Sequence, residues 1–301
     1  MAMIQAQIGE SQDGRKLLQC VREILPELDD AAIRRIVQHR DIKLDGKRVS
    51  SNVSVHSGQI VQIYYLDKEL KLPEIVYMDP DVILVNKRAG ISVESNPEDH
   101  SASLCDLLSR TICANEQAPI PCHRLDNQTS GLLLFARNQH AADVLQRVFM
   151  NRTLDKRYTC IVRGGMKPPE ATCKAYLLKD SEAGRVRIID HETAGARTIL
   201  TAYKTLEAHD GLSLLSVHLI TGRTHQIRAH LAALGHPILG DDVYGDRQLN
   251  RTRHVQGKLM LCATLLCLDT GGELPLLDGK VFSIQPPFQS IWSKISQENP
   301  S

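Results

Sequence analysis

Aromatic residues are scarce in this 301-residue chain: one Trp, four Phe and seven Tyr make up 4% of it, against 42% hydrophobic residues. There is enough apolar material for a sizeable core, and that core has to be aliphatic. Net charge is small as well, +1 with the histidines neutral. Lys and Arg total 36 and Asp and Glu total 35, so the overall balance names no anionic partner and any basic surface must be local. The eight cysteines (Cys20, Cys105, Cys113, Cys122, Cys160, Cys173, Cys262 and Cys267) form no Cys-x-x-Cys pair and no zinc spacing, which argues against a thiol redox motif or a metal centre. No glycine-rich phosphate loop is present, so no nucleotide cofactor is expected. The first ten residues lack a charged region followed by an apolar core, and the longest apolar run, near Leu259 to Leu268, is too short for a bilayer. A cytoplasmic protein without a membrane partner is expected.

What is there centres on Pro121 to Asn138. Gly131 to Ala136 is an apolar run of buried-strand length, whereas His123 to Ser130 crowds polar groups onto a turn. A polar loop feeding a buried strand is held rigidly at one end and presents side chains in fixed positions. Asp126 stands at that junction with Arg124 two residues before it. Taken alone, the pair also reads as a turn cap with a surface ion pair.

Upstream, residues 13–66 form a pattern of their own. Leu17, Leu18, Val21, Ile24 and Leu25, then Ile33, Ile36 and Val37, recur at helical spacing, and Ile42 to Val49 alternates around Asp45-Gly46 as a hairpin. Arg34, Arg35, Arg40, Lys43, Lys47 and Arg48 face only Asp41 and Asp45 over that stretch, a local positive face suited to phosphates or else a solvated helix surface. Residues 67–74 are charged and aperiodic and are expected to be a linker to a second domain spanning 75–296.

In that second part, Ile75 to Lys87 reads as a hairpin around Asp79-Pro80-Asp81, and Asn138 as the cap of a helix over Gln139 to Met150. Lys156 to Gly164 and Leu212 to Ile220 read as strands, the latter ending in Thr221-Gly222-Arg223-Thr224-His225-Gln226-Ile227-Arg228. His225 and His230 are five apart rather than four, so a shared metal is not expected. Arg223 sits where a helix begins, a poor place for a cation without a carboxylate partner. Arg247 to Lys258 reads as a basic loop.

His123-Arg124-Leu125-Asp126 with Thr129-Ser130-Gly131-Leu132-Leu133-Leu134 resembles the signature of the RluA-type pseudouridine synthases, whose Asp is catalytic. Asn86-Lys87, Lys156-Arg157-Tyr158 and Thr221 to Leu231 are similar to three further motifs of that family, although Arg88 stands where its first motif usually has Pro. Residues 13–66 resemble the alpha-L RNA-binding domain of ribosomal-protein type. The resemblance implies a mixed α+β fold around a central, largely antiparallel sheet, a monomer without cofactor or metal, and uridine isomerisation in RNA. Ribosomal RNA of the large subunit is favoured over transfer RNA. It further implies Asp126, Tyr158 and Arg223 as catalytic residues, with Arg223 pairing with Asp126, so that loss of Arg223 should slow chemistry and spare RNA binding. His123, Arg124, Arg34, Arg35, Lys43 and Lys47 are the expected RNA contacts. Tyr158 is expected to stack on the base and to take or give a proton. A catalytically silent RNA-binding or assembly protein, and an Asp-dependent glycosidic hydrolase, are the alternatives. The latter normally needs a second carboxylate, and no comparable motif supplies one.

Overall fold

The computed structural model describes residues 2–25, 27–28, 30–65, 73–95, 103–113, 117–151, 153–180 and 184–298. Chain contacts divide it into two compact units, residues 1–74 with 92–119 and residues 75–91 with 120–301. Of the expected linker at 67–74, all but Pro73 and Glu74 lies outside the described residues.

The first unit holds a four-stranded sheet ordered β1-β4-β2-β3, built from β1 (Ala2–Gln7), β2 (Ile42–Leu44), β3 (Lys47–Val49) and β4 (Ile60–Tyr65). The β2–β3 hairpin closes on Asp45 and Gly46, both at positive φ (49° and 78°), the two-residue turn whose twist suits paired strands. Helices α1 (Leu17–Ile24) and α2 (Asp30–Gln38) bury Leu17, Val21, Ile33 and Ile36 against Ile42, Val61 and Ile63. The N-terminal strand β1 lies outside the expected 13–66 pattern and adds an edge strand paired antiparallel with β4. Helix α3 (Leu104–Thr111) starts at Ser103, whose hydroxyl accepts from Asp106 N–H while the Asp106 carboxylate accepts from Ser103 N–H.

The second unit is organised around an eleven-stranded sheet. Its strands are β5 (Glu74–Met78), β6 (Val82–Lys87), β7 (Ile120–Pro121), β8 (Ser130–Ala136), β9 (Leu154–Arg163), β10 (Glu170–Asp180), β11 (Arg185–Ile189), β12 (Arg197–His209), β13 (Leu212–Leu219), β14 (Leu261–Leu268) and β15 (Val281–Ser283). The order is β11-β10-β12-β13-β9-β14-β8-β6-β5, with β15 on β14 and β7 on β8. Among the described pairings only β8–β14 is parallel. The protein is thus mixed α+β with a large, mostly antiparallel sheet. The β5–β6 turn is held by Asp79, whose Oδ1 accepts from the N–H groups of Asp81 and Val82 at 2.8 Å each.

Every residue of β8 is buried, as its unbroken apolar run requires. Helix α4 (Gln139–Asn151) covers one side, packing Ala141, Val144, Leu145 and Val148 on Leu132, Leu134 and Leu266. Asn138 starts that helix by accepting from Ala141 N–H at 2.8 Å. Gly131 sits at φ +114°, and an added Cβ would collide with the Ala263 backbone of β14. Glycine here lets β14 close on β8 immediately beside the Asp126 turn. Helix α5 (Gln226–Ala233) follows β13, and α7 (Gln289–Glu298) ends the described chain. Residues 247–252 form a helix, α6 (Arg247–Thr252), where a loop was expected. Asp246 accepts from the N–H groups of Gln248 and Leu249 and so nucleates it, a capping effect the run of basic residues obscures.

Candidate active site

Asp126 lies midway along the β7–β8 connection, and its own carbonyl accepts from Thr129 N–H at 3.0 Å, closing the turn that leads into β8. Lys87, at the end of β6 and only 1% exposed, holds that turn in place. Its ammonium donates to the carbonyls of Asn127 (2.9 Å), Ile91 (2.8 Å) and Arg88 (3.1 Å), so all three protons are used. Burial pulls the Lys87 pKa down to about 8, and the Asp126 charge opposes that fall. The Asn86-Lys87 motif was visible in sequence, but nothing local showed that the lysine turns inward.

Asp126 opens into a cavity of about 620 Å³ lined by residues of the β7–β8 connection, the end of α4, β9, β13, the β13–α5 turn, the start of α5 and Leu261 of β14. Two groups approach its carboxylate. His225 Nε2 lies 3.8 Å and Arg228 Nη1 3.7 Å from Oδ2. His225 adopts a left-handed backbone (φ 54°) as the residue before α5, and that turn directs the first helical turn, with Arg228, inward. The Arg228 guanidinium binds Asp241 with Nε and Nη2 at 2.8 and 2.9 Å. Burial works against both charges and their mutual bonds overcome it: Asp241 lies below the usual carboxylate range and Arg228 above its ordinary value. Tyr244 braces both groups, with its hydroxyl 3.0 Å from His225 Nδ1 and its ring 5.4 Å from the Arg228 guanidinium. That hydroxyl also accepts from Val186 N–H of β11 at 2.9 Å. Burial chiefly lowers the His225 pKa. A neutral ring facing a carboxylate keeps its proton on Nε2, because a bare lone pair there would meet Oδ2.

The expected Arg223–Asp126 pair does not form. Arg223 is exposed on the cavity rim, and its backbone N–H donates to Gln226 Oε1 at 3.1 Å. Five residues on, past the left-handed turn, Arg228 occupies the place anticipated for it. Arg124 is likewise exposed and on the rim, and neither arginine has an ion-pair partner among the described residues. Tyr158 is buried in the cavity wall, and burial, then the Asp126 charge, raises its phenol above the ordinary value. His123 also lines the cavity but is engaged internally, accepting from Leu134 N–H at 3.2 Å and stacking against Phe149 at 4.7 Å.

Arg34, Arg35, Lys43 and Lys47 belong to the first unit, and the cavity belongs wholly to the second. Arg34 and Lys47 are exposed, Arg35 lies 3.3 Å from Asp41, and the Lys43 ammonium lies 5.2 Å from the Tyr64 ring centre. Among the described residues no group of His, Cys, Asp and Glu has the arrangement to hold a metal.

Residues 81–233 match the family model described as RNA pseudouridylate synthase. The chain is 33% identical over 261 residues to an uncharacterized RNA pseudouridine synthase, YhcT, of Bacillus subtilis (strain 168), covering 81% of this chain and 84% of that one. It is 30% identical over 274 residues to ribosomal large subunit pseudouridine synthase C of Vibrio vulnificus, covering 85% of each. The solved structure of human RNA Pseudouridylate Synthase Domain Containing 1 superposes with a TM-score of 0.56 at 28% identity, covering 73% of this chain and 94% of that chain.

Proposed function

Because the chain belongs to the RNA pseudouridylate synthase family, an enzyme family acting on RNA, we propose that it converts uridines of large-subunit ribosomal RNA to pseudouridine with Asp126 as the catalytic carboxylate. The observation that carries the reading is the setting of Asp126: a side chain on a pinned turn, open to a cavity, with Arg228 and His225 directed at one oxygen. The ribosomal target rests on the Vibrio relative, matched over 85% of its length and named for the large subunit.

Isomerisation detaches uracil from C1′ and rejoins it through C5, with no oxidation, no group donor and no hydrolysis, so the reaction calls for no cofactor or metal. An ionised carboxylate beside C1′ serves either attack on that carbon or removal of a sugar proton. Arg228 supplies a fixed positive charge that holds the Asp126 oxygen in one direction. The uridine must first leave its helix, at a cost of a few kcal/mol. The exposed Arg124 and Arg223 on the rim meet the phosphates of the extruded strand, and Arg124 fills the gap the base leaves. Tyr158 walls the base pocket. The basic residues Arg34 and Lys47 of the first unit add RNA affinity in a soluble, monomeric, cytoplasmic protein.

Tritium release from C5-labelled, protein-free ribosomal RNA of a strain lacking the protein tests this. Wild type releases tritium, and Asp126→Asn, nearly isosteric but uncharged, does not. Equal release by both would remove Asp126 from the mechanism, and silence of the wild type on that RNA would remove the ribosomal target.

A further inference from the structure

Hydrogen-bond polarity at both ends of the ring fixes the state of His225. Among the described residues the Tyr244 hydroxyl has two hydrogen-bond partners, Val186 N–H at 2.9 Å and His225 Nδ1 at 3.0 Å. A backbone N–H only donates, so Val186 occupies an oxygen lone pair and the hydroxyl proton goes to Nδ1. Nδ1 then carries a lone pair, and the proton of the neutral ring is on Nε2. Nε2 lies 3.8 Å from Asp126 Oδ2, where a donor suits the carboxylate and a lone pair would oppose it. The reversed chain would leave the hydroxyl proton without an acceptor and set two lone pairs against each other. Both ends of the ring therefore select the same tautomer.

Asp241 anchors this arm as well as Arg228. Its Oδ1 accepts from Val243 N–H at 2.8 Å and Tyr244 N–H at 3.0 Å, while both its oxygens hold the Arg228 guanidinium. Strand β11 ends the order of the large sheet, and its Val186 N–H meets Tyr244 instead of a further strand. His225, the residue before α5, makes no capping bond with its side chain, and histidine tolerates the left-handed backbone better than most residues. The ring thus serves Asp126 and not the helix. Two arms from one buried carboxylate, Asp241–Arg228 and Asp241–Tyr244–His225, converge on Oδ2 of Asp126. Among the described residues its Oδ1 has no hydrogen-bond or ion-pair partner.

We propose that Tyr244 and His225 are positioning residues for Asp126. Tyr244 holds the His225 ring with its proton on Nε2, and His225 presents that N–H to Oδ2, so that Oδ1 is the oxygen turned to the sugar. The role rests on reading Asp126 as the carboxylate of a pseudouridine synthase. The 3.8 Å separation exceeds a hydrogen bond and shortens when RNA closes the cavity to water. Arg228 supplies charge and His225 supplies direction. No proton changes hands, and the arrangement serves either use of Asp126 at the sugar.

The test uses the full chain, labelled with 15N in histidine for NMR and assayed by tritium release from C5-tritiated bulk ribosomal RNA. The His225 signals are assigned by their loss in His225→Asn, since asparagine accepts the left-handed backbone and favours helix starts. In the wild type Nδ1 should resonate as a bare nitrogen and Nε2 as a protonated one. Tyr244→Phe keeps the ring against Arg228 and removes only the hydroxyl. It should move the Nδ1 signal toward that of a nitrogen accepting no bond. It should also lower kcat about 10-fold with KM little changed. In a relay the hydroxyl acts only through the ring, so Tyr244→Phe should cost no further kcat once His225→Asn is present. Should His225→Asn not fold, His225→Gln supplies the assignment and the double variant. A wild-type ring protonated on Nδ1 or on both nitrogens overturns the proposal, and so do losses that add in the double variant. Silence of the wild type toward the labelled RNA overturns the pseudouridine synthase reading and this role with it, whereas wild-type release with an unaltered kcat in Tyr244→Phe overturns the role alone.

Discussion

Arg228 touches two carboxylates with different parts of one guanidinium: Nη1 lies 3.7 Å from Asp126, while Nε and Nη2 hold Asp241 at 2.8 and 2.9 Å. The buried Asp241 pair orients the fork, and the orientation delivers a charge to Asp126. A lysine keeps the charge but has no fork with which to span both acids. Arg228→Lys should therefore lower kcat on the order of 10²–10³-fold while KM changes little. Asp241→Asn should cost about 3–5 kcal/mol in urea unfolding, because it leaves a buried guanidinium without its counter-charge. An Arg228→Lys enzyme with wild-type kcat would refute the orienting role.

Arg223 behaves differently because it stays on the rim. Without contact to Asp126 it has no means of acting on the carboxylate, and its exposed guanidinium is free for phosphate. Arg223→Ala is expected to raise KM and leave kcat near wild type, the reverse of what direct pairing would produce. The slope of log affinity against log salt should flatten by about 1. Measuring binding between low and moderate salt and turnover at saturating RNA separates the two. A large fall in kcat with an unchanged salt slope would sink this assignment.

The legible part of this protein is what local pattern encodes. The buried strand β8 showed itself through seven consecutive apolar or small residues, and Asp126 through the polar turn before it. The β2–β3 hairpin showed itself through Asp45-Gly46, and α4 through Asn138 and its apolar stripe. Contacts between distant residues were not legible. Arg223 and Arg228 are both plausible partners for Asp126 until the left-handed turn at His225 rotates one out and the other in. Asp241 and Tyr244 follow α5 in a segment without periodicity, and only the fold brings them beneath Arg228. Lys156 reads as an ordinary strand cation, and only the fold buries it, 2.8 Å from His123 Nδ1, where its pKa falls to about 7. The grouping of residues 92–119 with the first unit also depends on non-local contacts, here after the chain has already built β5 and β6.

The state of Lys156 carries a stability signature independent of catalysis. Its folded pKa, about 7, lies below the ordinary 10.5. Between those values the unfolded chain holds a proton that the folded chain lacks, so the lysine makes stability rise with pH across that window. Below about pH 7 both states are protonated and the burial of the charge is at its most unfavourable. Compared with Lys156→Met, wild type should thus gain relative stability as pH rises from about 7 toward 10. Urea unfolding of both proteins at three pH values measures it. A difference that does not vary with pH would mean the amine stays charged in the fold.

Charge reversal in the first unit should affect binding and leave chemistry alone. Arg34 and Lys47 are exposed, while Arg35 is partly neutralised by Asp41 at 3.3 Å and Lys43 lies against Tyr64. The exposed cations are the ones that release counterions on binding RNA, so they govern affinity and its salt dependence. The double variant Arg34→Glu with Lys47→Glu should bind ribosomal RNA more weakly and flatten the salt slope by about 2, one for each phosphate no longer neutralised. The rate of tritium release at saturating RNA should be retained, since neither residue belongs to the unit that holds Asp126. Filter-binding titrations across a salt series, paired with single-turnover release, check both halves. An unchanged slope would assign these residues to a solvated surface, and the RNA affinity would then have to come from the rim arginines of the second unit.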